Sequence, residues 1–164
     1  MVLLVIAVTA SMVALSVTSR DRERSHERYI NEIDHMIREG YARARLERQD
    51  YVLQWYRDEI RFYALNLAVN EDGDETLQLE PAGGWQAPDT LEFQLERGER
   101  LMSLPLYQGE PPEPDAVHVR IYPDGTSDEP WRLGLVWVAD SEGTPWRTLV
   151  SDGFNSPQWR QPDE

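Results

Sequence analysis

The sequence predicts an α+β protein in which a long N-terminal helix packs on a small antiparallel β-sheet domain. Two observations predict this class. Residues 1–48 combine an apolar run with an amphipathic segment and contain no proline, the first proline of the chain being Pro81. From Asp50 onward apolar residues alternate with polar ones, which is the period of a strand with one buried face. We therefore divide the chain into residues 1–19, 20–48 and 49–164.

Residues 1–19 form an uncharged and mostly aliphatic run. As a helix at ~1.5 Å per residue this run would be about 28 Å long, close to the ~30 Å hydrocarbon thickness of a bilayer. We predict a transmembrane helix. The alternative is a cleaved secretory signal, which needs a basic stretch before the apolar run and a small-residue cleavage site after it. The mixed charges of residues 20–28 leave the membrane orientation open.

Residues 20–48 are predicted to continue the helix as an amphipathic segment. Arginine and acidic residues occupy one face. On the other face apolar or small residues recur at spacings of three, four and seven, at Tyr29, Ile33, Met36, Ile37, Gly40, Tyr41 and Ala44. We interpret this stripe, and Tyr29, Ile33, Ile37 and Tyr41 in particular, as the surface that packs on the sheet rather than as a cofactor site.

Short strands and turns account for most of residues 49–164. A hairpin and four further strands are predicted, at 51–56 with 59–65, and at 91–95, 117–122, 131–138 and 146–150. Residues 123–126 and 140–143 have the composition of turns. The two remaining stretches, 70–89 and 108–116, are predicted to be surface loops.

The charge of the chain is uneven and argues against nucleic acid as a partner. Residues 1–61 hold ten arginines and ten acidic residues, whereas residues 62–164 hold six arginines and twenty acidic residues, so the second part carries the whole net charge of −14. An acidic domain repels phosphate backbones. The chain has no cysteine, which excludes disulfides, thiol nucleophiles and cysteine metal sites.

The residues offer no recognisable catalytic or metal-binding motif, so an enzyme has no support and no cofactor is expected. His26 and His35 lie nine residues apart on the helix, and His118 is predicted on the outward, solvated side of a strand. The acidic loop 70–75 fails as an EF-hand, because Ala68 and Leu79 fall at the first and last ligand positions. We expect a solvated loop there, with adventitious cation binding as the alternative.

All six tryptophans lie in the strand-rich part of the chain. Packing in the core is the expected role for most of them, because Trp131 and Trp137 share one strand face. A carbohydrate platform or a protein interface is the alternative.

Several motifs together resemble a known family. An apolar helix runs directly into an amphipathic one, residues 42–47 lead into the hairpin, and a Gly83-Gly84-Trp85 element, a strand and turn at 119–125 and a closing hairpin at 146–153 follow. In this arrangement the chain resembles pilins and pseudopilins, and in particular the GspH/FimT-type minor pseudopilins of the type II secretion system. The resemblance covers nearly the whole chain.

The resemblance implies a non-enzymatic assembly subunit. Residues 1–19 would hold it in the inner membrane as a single span, and the C-terminal domain would lie in the periplasm. Other major and minor pseudopilins would be its partners, through helix–helix packing of Leu3, Leu4, Ile6, Val13 and Leu15. Such subunits assist the export of folded proteins across the outer membrane.

The family's processing signal is not in this sequence. Family members carry a basic leader, a glycine and a mature start of the form Phe-Thr-Leu-x-Glu, which a prepilin peptidase cleaves and methylates. Residues 1–6 are similar to the family segment directly after that glutamate, so we expect the leader and the start motif to precede Met1 in the full-length precursor. The alternatives are a type IV minor pilin and, from a different class, a membrane-tethered periplasmic binding module or hydrolase.

Overall fold

A computed structural model describes residues 2–69, 74–112, 118–139 and 143–161, with side chains from residue 24 onward. A single long helix, α1, spans Val2–Glu47, and nine strands follow it within the described residues. These strands are β1 (Tyr51–Trp55), β2 (Glu59–Val69), β3 (Glu75–Gln86), β4 (Leu91–Arg97), β5 (Arg100–Met102), β6 (Val119–Ile121), β7 (Trp131–Trp137), β8 (Arg147–Ser151) and β9 (Gln158–Arg160). The chain divides into two compact units, one up to His35 and one from Met36 onward.

Helix α1 ends in a left-handed turn that satisfies its last carbonyl groups. Arg48 has a φ of 53°, and the N–H of Gln49 donates to the carbonyl of Ala44 at 3.2 Å. A six-to-one hydrogen bond around a left-handed residue is the Schellman ending of a helix. The chain turns there directly into β1.

The structure leaves the predicted membrane anchor untested. Among the residues whose side chains are described, no helix is long and apolar enough to cross a membrane. The predicted anchor, residues 1–19, lies outside that part of the chain, although the backbone from Val2 is helical.

The first sheet, called sheet A here, has the strand order β3-β2-β1-β6 and is antiparallel throughout. The predicted hairpin is confirmed, since Tyr51–Trp55 pairs with residues 60–64 around the Arg57-Asp58 turn. Strand β1 is buried along its whole length. Directly after β1, the ring of Tyr56 packs edge-on against the ring of Tyr107, with 4.9 Å between ring centroids.

The predicted loop over residues 70–89 is wrong for most of its length. Strand β3 occupies Glu75–Gln86 and pairs with β2 from Glu59 to Val69. The prediction failed because β3 is an edge strand with most of its side chains exposed, so its sequence shows little hydrophobic alternation outside residues 76–80. Residues 70–73 of the acidic loop lie outside the described residues.

The second sheet, sheet B, has the order β5-β4-β7-β8-β9 and is also antiparallel. The predicted strands at 91–95, 131–138 and 146–150 are confirmed as β4, β7 and β8. The short edge strands β5 and β9 were not predicted. The turn after β6 is confirmed, because the Gly125 N–H donates to the Tyr122 carbonyl at 2.8 Å and Gly125 adopts a φ of 86°.

The two sheets enclose the hydrophobic core. Trp55 of sheet A and Trp131 of sheet B meet there, with ring centroids 5.3 Å apart, and each is at most 1% exposed. Aliphatic side chains from both sheets fill the space around them, including Leu53, Ile60, Leu95, Ile121, Leu133, Leu135 and Leu149. Burial of each such side chain stabilises the fold by ~1.5–3 kcal/mol. This shared core therefore holds the two sheets together.

Candidate functional site

The helix stripe singled out from the sequence is largely buried. Ile33, Ile37 and Tyr41 are 0%, 1% and 7% exposed, and Tyr29 is half-buried. The predicted anchor residues all belong to α1, but their side chains lie outside the described part: Leu3, Leu4, Ile6, Val13 and Leu15.

The C-terminal part of α1 touches both sheets. A β-carbon added to Gly40 would lie 2.2 Å from Cε1 of Phe62 in β2, so the ring of Phe62 packs directly against the helix backbone. The Tyr41 side chain extends towards Ser151 and Trp131 of sheet B, and burial raises the pKa of its hydroxyl. The pair Gly40 and Tyr41 therefore places the C-terminal part of α1 against both sheets.

Arg43 ties the helix to the outer edge of sheet A. Its Nη2 lies 2.5 Å from Oε1 of Glu39, one helical turn earlier, and its Nη1 donates to the carbonyl of Ala82 in β3 at 3.1 Å. The Ala82 carbonyl belongs to an edge strand, so the guanidinium occupies an acceptor that would otherwise face solvent.

A chain of charged groups connects the two sheets at their other side. Asp128 accepts hydrogen bonds from Nη2 of Arg97 in β4 at 2.8 Å and from the backbone N–H of Arg120 in β6 at 3.0 Å. The Arg120 guanidinium in turn binds Asp50, with Nε at 2.8 Å. These contacts link β4 of sheet B to β6 of sheet A, and Nε of Arg97 also lies 2.7 Å from Oε2 of Glu129. Each charged group is therefore paired with another, which is the arrangement of a structural network.

His118 is buried, and the prediction that it is solvated is wrong. Its Nδ1 accepts a hydrogen bond from the backbone N–H of Trp55 at 3.1 Å, and the backbone N–H of His118 donates to Oε1 of Gln54 at 3.0 Å. Strand β6 pairs with β1 only as far as Leu53. Beyond that point the imidazole of His118, instead of a backbone carbonyl, accepts the hydrogen bond of the Trp55 N–H. Burial, together with the positive charge of Arg97, lowers the pKa of His118 to about 4.

The lowered pKa of His118 predicts a loss of stability in mild acid. In the unfolded chain His118 would bind a proton near pH 6.5, whereas in the folded chain it would do so only near pH 4. The free energy of unfolding is therefore unaffected by His118 above pH 6.5 and decreases as the pH falls towards 4, by up to about 3 kcal/mol. We expect urea unfolding between pH 7.5 and 4.5 to show a steeper decline for the natural chain than for His118→Asn, which keeps an acceptor oxygen but does not titrate. Parallel pH curves would contradict the assignment.

The tryptophans divide between core and surface. Trp55 and Trp131 are core residues, as expected. Trp137 and Trp146 are half-buried and stack on each other, with 5.3 Å between centroids and 7° between planes. Because each of these two rings already uses one face on the other, they form a pair that joins the end of β7 to the loop before β8.

The described residues hold no group of three or more histidine, aspartate or glutamate side chains placed to bind a metal ion. A polar hollow of about 540 Å³ lies over β7, β8 and the β4–β5 turn, and Glu96, Glu99, Arg132, Asp152 and Arg160 line it. None of its described lining residues is a histidine. Asp152 accepts hydrogen bonds from the N–H groups of Phe154 and Asn155 at 2.9 and 2.7 Å, so its carboxylate organises a turn.

Comparisons with known proteins identify the architecture. No protein-family model matches the chain, and no curated protein matches its sequence. Among solved structures, the minor pseudopilin EpsH from the type 2 secretion system of Vibrio cholerae is similar, with a TM-score of 0.61 and 14% sequence identity over 84% of this chain and 96% of that chain. An α+β chain with one long helix and two antiparallel sheets thus has the fold of a type II secretion minor pseudopilin.

Proposed function

We propose that this chain is a minor pseudopilin, a subunit of a type II secretion pseudopilus that assists the export of folded proteins. The observation that carries the proposal is the fold shared with EpsH over 96% of that protein's chain. A fold can host several functions, so the sequence features that accompany it matter. They are the apolar run 1–19 at the start of α1 and the acidic, cysteine-free domain after it.

In this role residues 1–19 anchor the subunit in the inner membrane, and the strand-rich domain lies in the periplasm. Packing of Leu3, Leu4, Ile6, Val13 and Leu15 against the helices of other pseudopilins supplies the contacts for assembly. Ile37 and Tyr41, buried against the domain, make the C-terminal part of α1 a rigid part of that domain. A displacement of the helix during assembly would then carry the domain with it.

The test is made in the native host. Deletion of the gene is expected to leave exoproteins in the periplasm, and the natural chain should restore their export. A photo-crosslinking residue at Leu4 or Val13 should form adducts with other pseudopilins, identified by mass spectrometry. The matched control carries the same probe at Arg132, whose side chain is exposed on sheet B.

Two results would contradict the proposal. Normal export after deletion, with adducts at Leu4 and Val13 that contain only lipid, would remove the secretion role. Loss of surface pili with normal export would instead assign the chain to type IV pili. Processing by a prepilin peptidase predicts an N-methylated first residue in the native protein, which N-terminal sequencing and intact mass would detect.

A further inference from the structure

The free edge of sheet A is open over one half of β3 and closed over the other. Pro81 has no N–H to offer, and the carbonyl of Ala82 is taken by Arg43 at 3.1 Å. Residues 75–78 have exposed side chains and pair only with the part of β2 beyond β1. The open half of the edge is therefore residues 75–79, which we call the open edge.

The register of sheet A shows which main-chain groups point outward from the open edge. The N–H of Leu65 donates to the carbonyl of Asp50 at 2.9 Å, so Leu65 is directed to the β1 side of β2. Strand geometry alternates, so Asn66 and Ala68 are directed to β3, where they pair with Gln78 and Thr76. The N–H and C=O groups of Glu75, Leu77 and Leu79 consequently face away from the sheet.

The side chains of the open edge are also suited to contact another strand. Leu77 is 45% exposed, and its partner on β2, Leu67, is 61% exposed. Val69, which pairs with Glu75, is 65% exposed. Long edge strands with exposed apolar residues are templates for pairing with another chain. No arginine or lysine occurs between Arg61 and Arg97, so an anionic membrane surface is a poor partner for this edge.

We propose that the open edges of two copies of this chain pair in an antiparallel manner across a twofold axis through Leu77. In that register Leu77 lies opposite its own counterpart, Glu75 lies opposite Leu79, and Thr76 lies opposite Gln78. All three outward-facing residues of one copy then meet those of the other, and their N–H and C=O groups can form six hydrogen bonds. No carboxylate within the five-residue ladder opposes another, and Pro81 lies beyond its end.

This pairing would join two sheets of four strands into one sheet of eight. Five-residue strands bury a small area, so we expect a weak dimer, with a dissociation constant of about 1–100 µM. The net charge of −14 on each copy opposes association, and Asp74 and Glu80 of different copies approach each other at the ends of the ladder. Added salt should therefore strengthen the dimer by screening this repulsion. The proposal does not depend on the secretion role.

The first experiment is sedimentation equilibrium of the purified full chain in detergent solution, compared with Leu77→Pro. Proline at this position removes only an N–H that faces away from β2, so the monomer should keep its fold, as its thermal unfolding would show. Both central hydrogen bonds of the dimer are lost, which should weaken association about tenfold or more. A natural chain that stays monomeric up to about 500 µM, well above that range, would overturn the proposal.

A second experiment reads the register even if the proline variant fails to fold. The chain has no cysteine, so single cysteines can be placed at will. Hydrogen-bonded antiparallel residues have Cα atoms about 5.5 Å apart, within the range of a disulfide. We expect Leu77→Cys to form disulfide-linked dimers under mild oxidation faster than Thr76→Cys, Gln78→Cys and the exposed control Leu101→Cys. Equal or faster linkage in any of these three would overturn the proposed pairing.

Discussion

Replacement of Trp131 by alanine is expected to lower the free energy of unfolding by about 3–5 kcal/mol. Trp131 is 1% exposed and lies in sheet B against Trp55 of sheet A, with 5.3 Å between ring centroids. Removing the indole leaves a cavity at the point where the two sheets meet, and β-strands on both sides restrict how far the structure can close around it. Urea or thermal unfolding of the full chain measures the loss.

Trp159 provides the matched control for this substitution. It lies in the short edge strand β9 and is half-buried, so Trp159→Ala should cost less, about 1–2 kcal/mol. A double-mutant cycle with Trp55→Leu and Trp131→Leu should give a coupling energy of about 0.5–1.5 kcal/mol, the value of a buried aromatic pair. If Trp131→Ala were no more destabilising than Trp159→Ala, the core would not be centred on the pair of indoles.

Replacement of Gly40 by leucine is expected to lower the free energy of unfolding by about 3 kcal/mol or more. Even a β-carbon at this position would lie 2.2 Å from the Phe62 ring, and Phe62 is only 3% exposed, so its ring has little room to move. The gain in helix propensity from losing a glycine, about 1 kcal/mol, opposes the effect but is smaller. Denaturant midpoints of the two proteins check the prediction.

The control for Gly40 lies two residues away on the same helix. Ala42 is exposed, and Ala42→Leu should change stability by less than about 0.5 kcal/mol. Adding Phe62→Ala to Gly40→Leu should restore part of the loss, because the ring that clashes is gone. Full stability of Gly40→Leu alone would show that α1 does not approach β2 as closely as the structure places it.

Much of the fold could be predicted from local patterns. The helical spacing of Ile33, Ile37 and Tyr41 marked side chains that the structure buries. The apolar patterns in residues 51–56, 59–65, 91–95 and 131–138 predicted strands that the structure contains. These patterns are informative because each element has one face towards a core and one towards water. The spacing of apolar and polar residues within the element reflects that difference.

Edge strands and buried polar residues could not be predicted from local sequence patterns. Strand β3 is exposed on both faces over much of its length, so hydrophobicity does not alternate there; the short alternation from Thr76 to Glu80 was the only signal. His118 alternates with Val119 like a solvated residue, yet it is buried because the Trp55 N–H needs an acceptor where β6 no longer pairs with β1.

By itself the sequence determined the class of this protein, a long helix followed by antiparallel strands, and with it the resemblance to minor pseudopilins. Only the tertiary structure decided that the strands divide into two sheets, that Gly40 and Tyr41 bring the C-terminal part of the helix against both of them, and that one edge of sheet A stays open. The reason is that amphipathic period is a property of neighbouring residues, whereas strand partners and the cover over each edge depend on residues far apart in the chain.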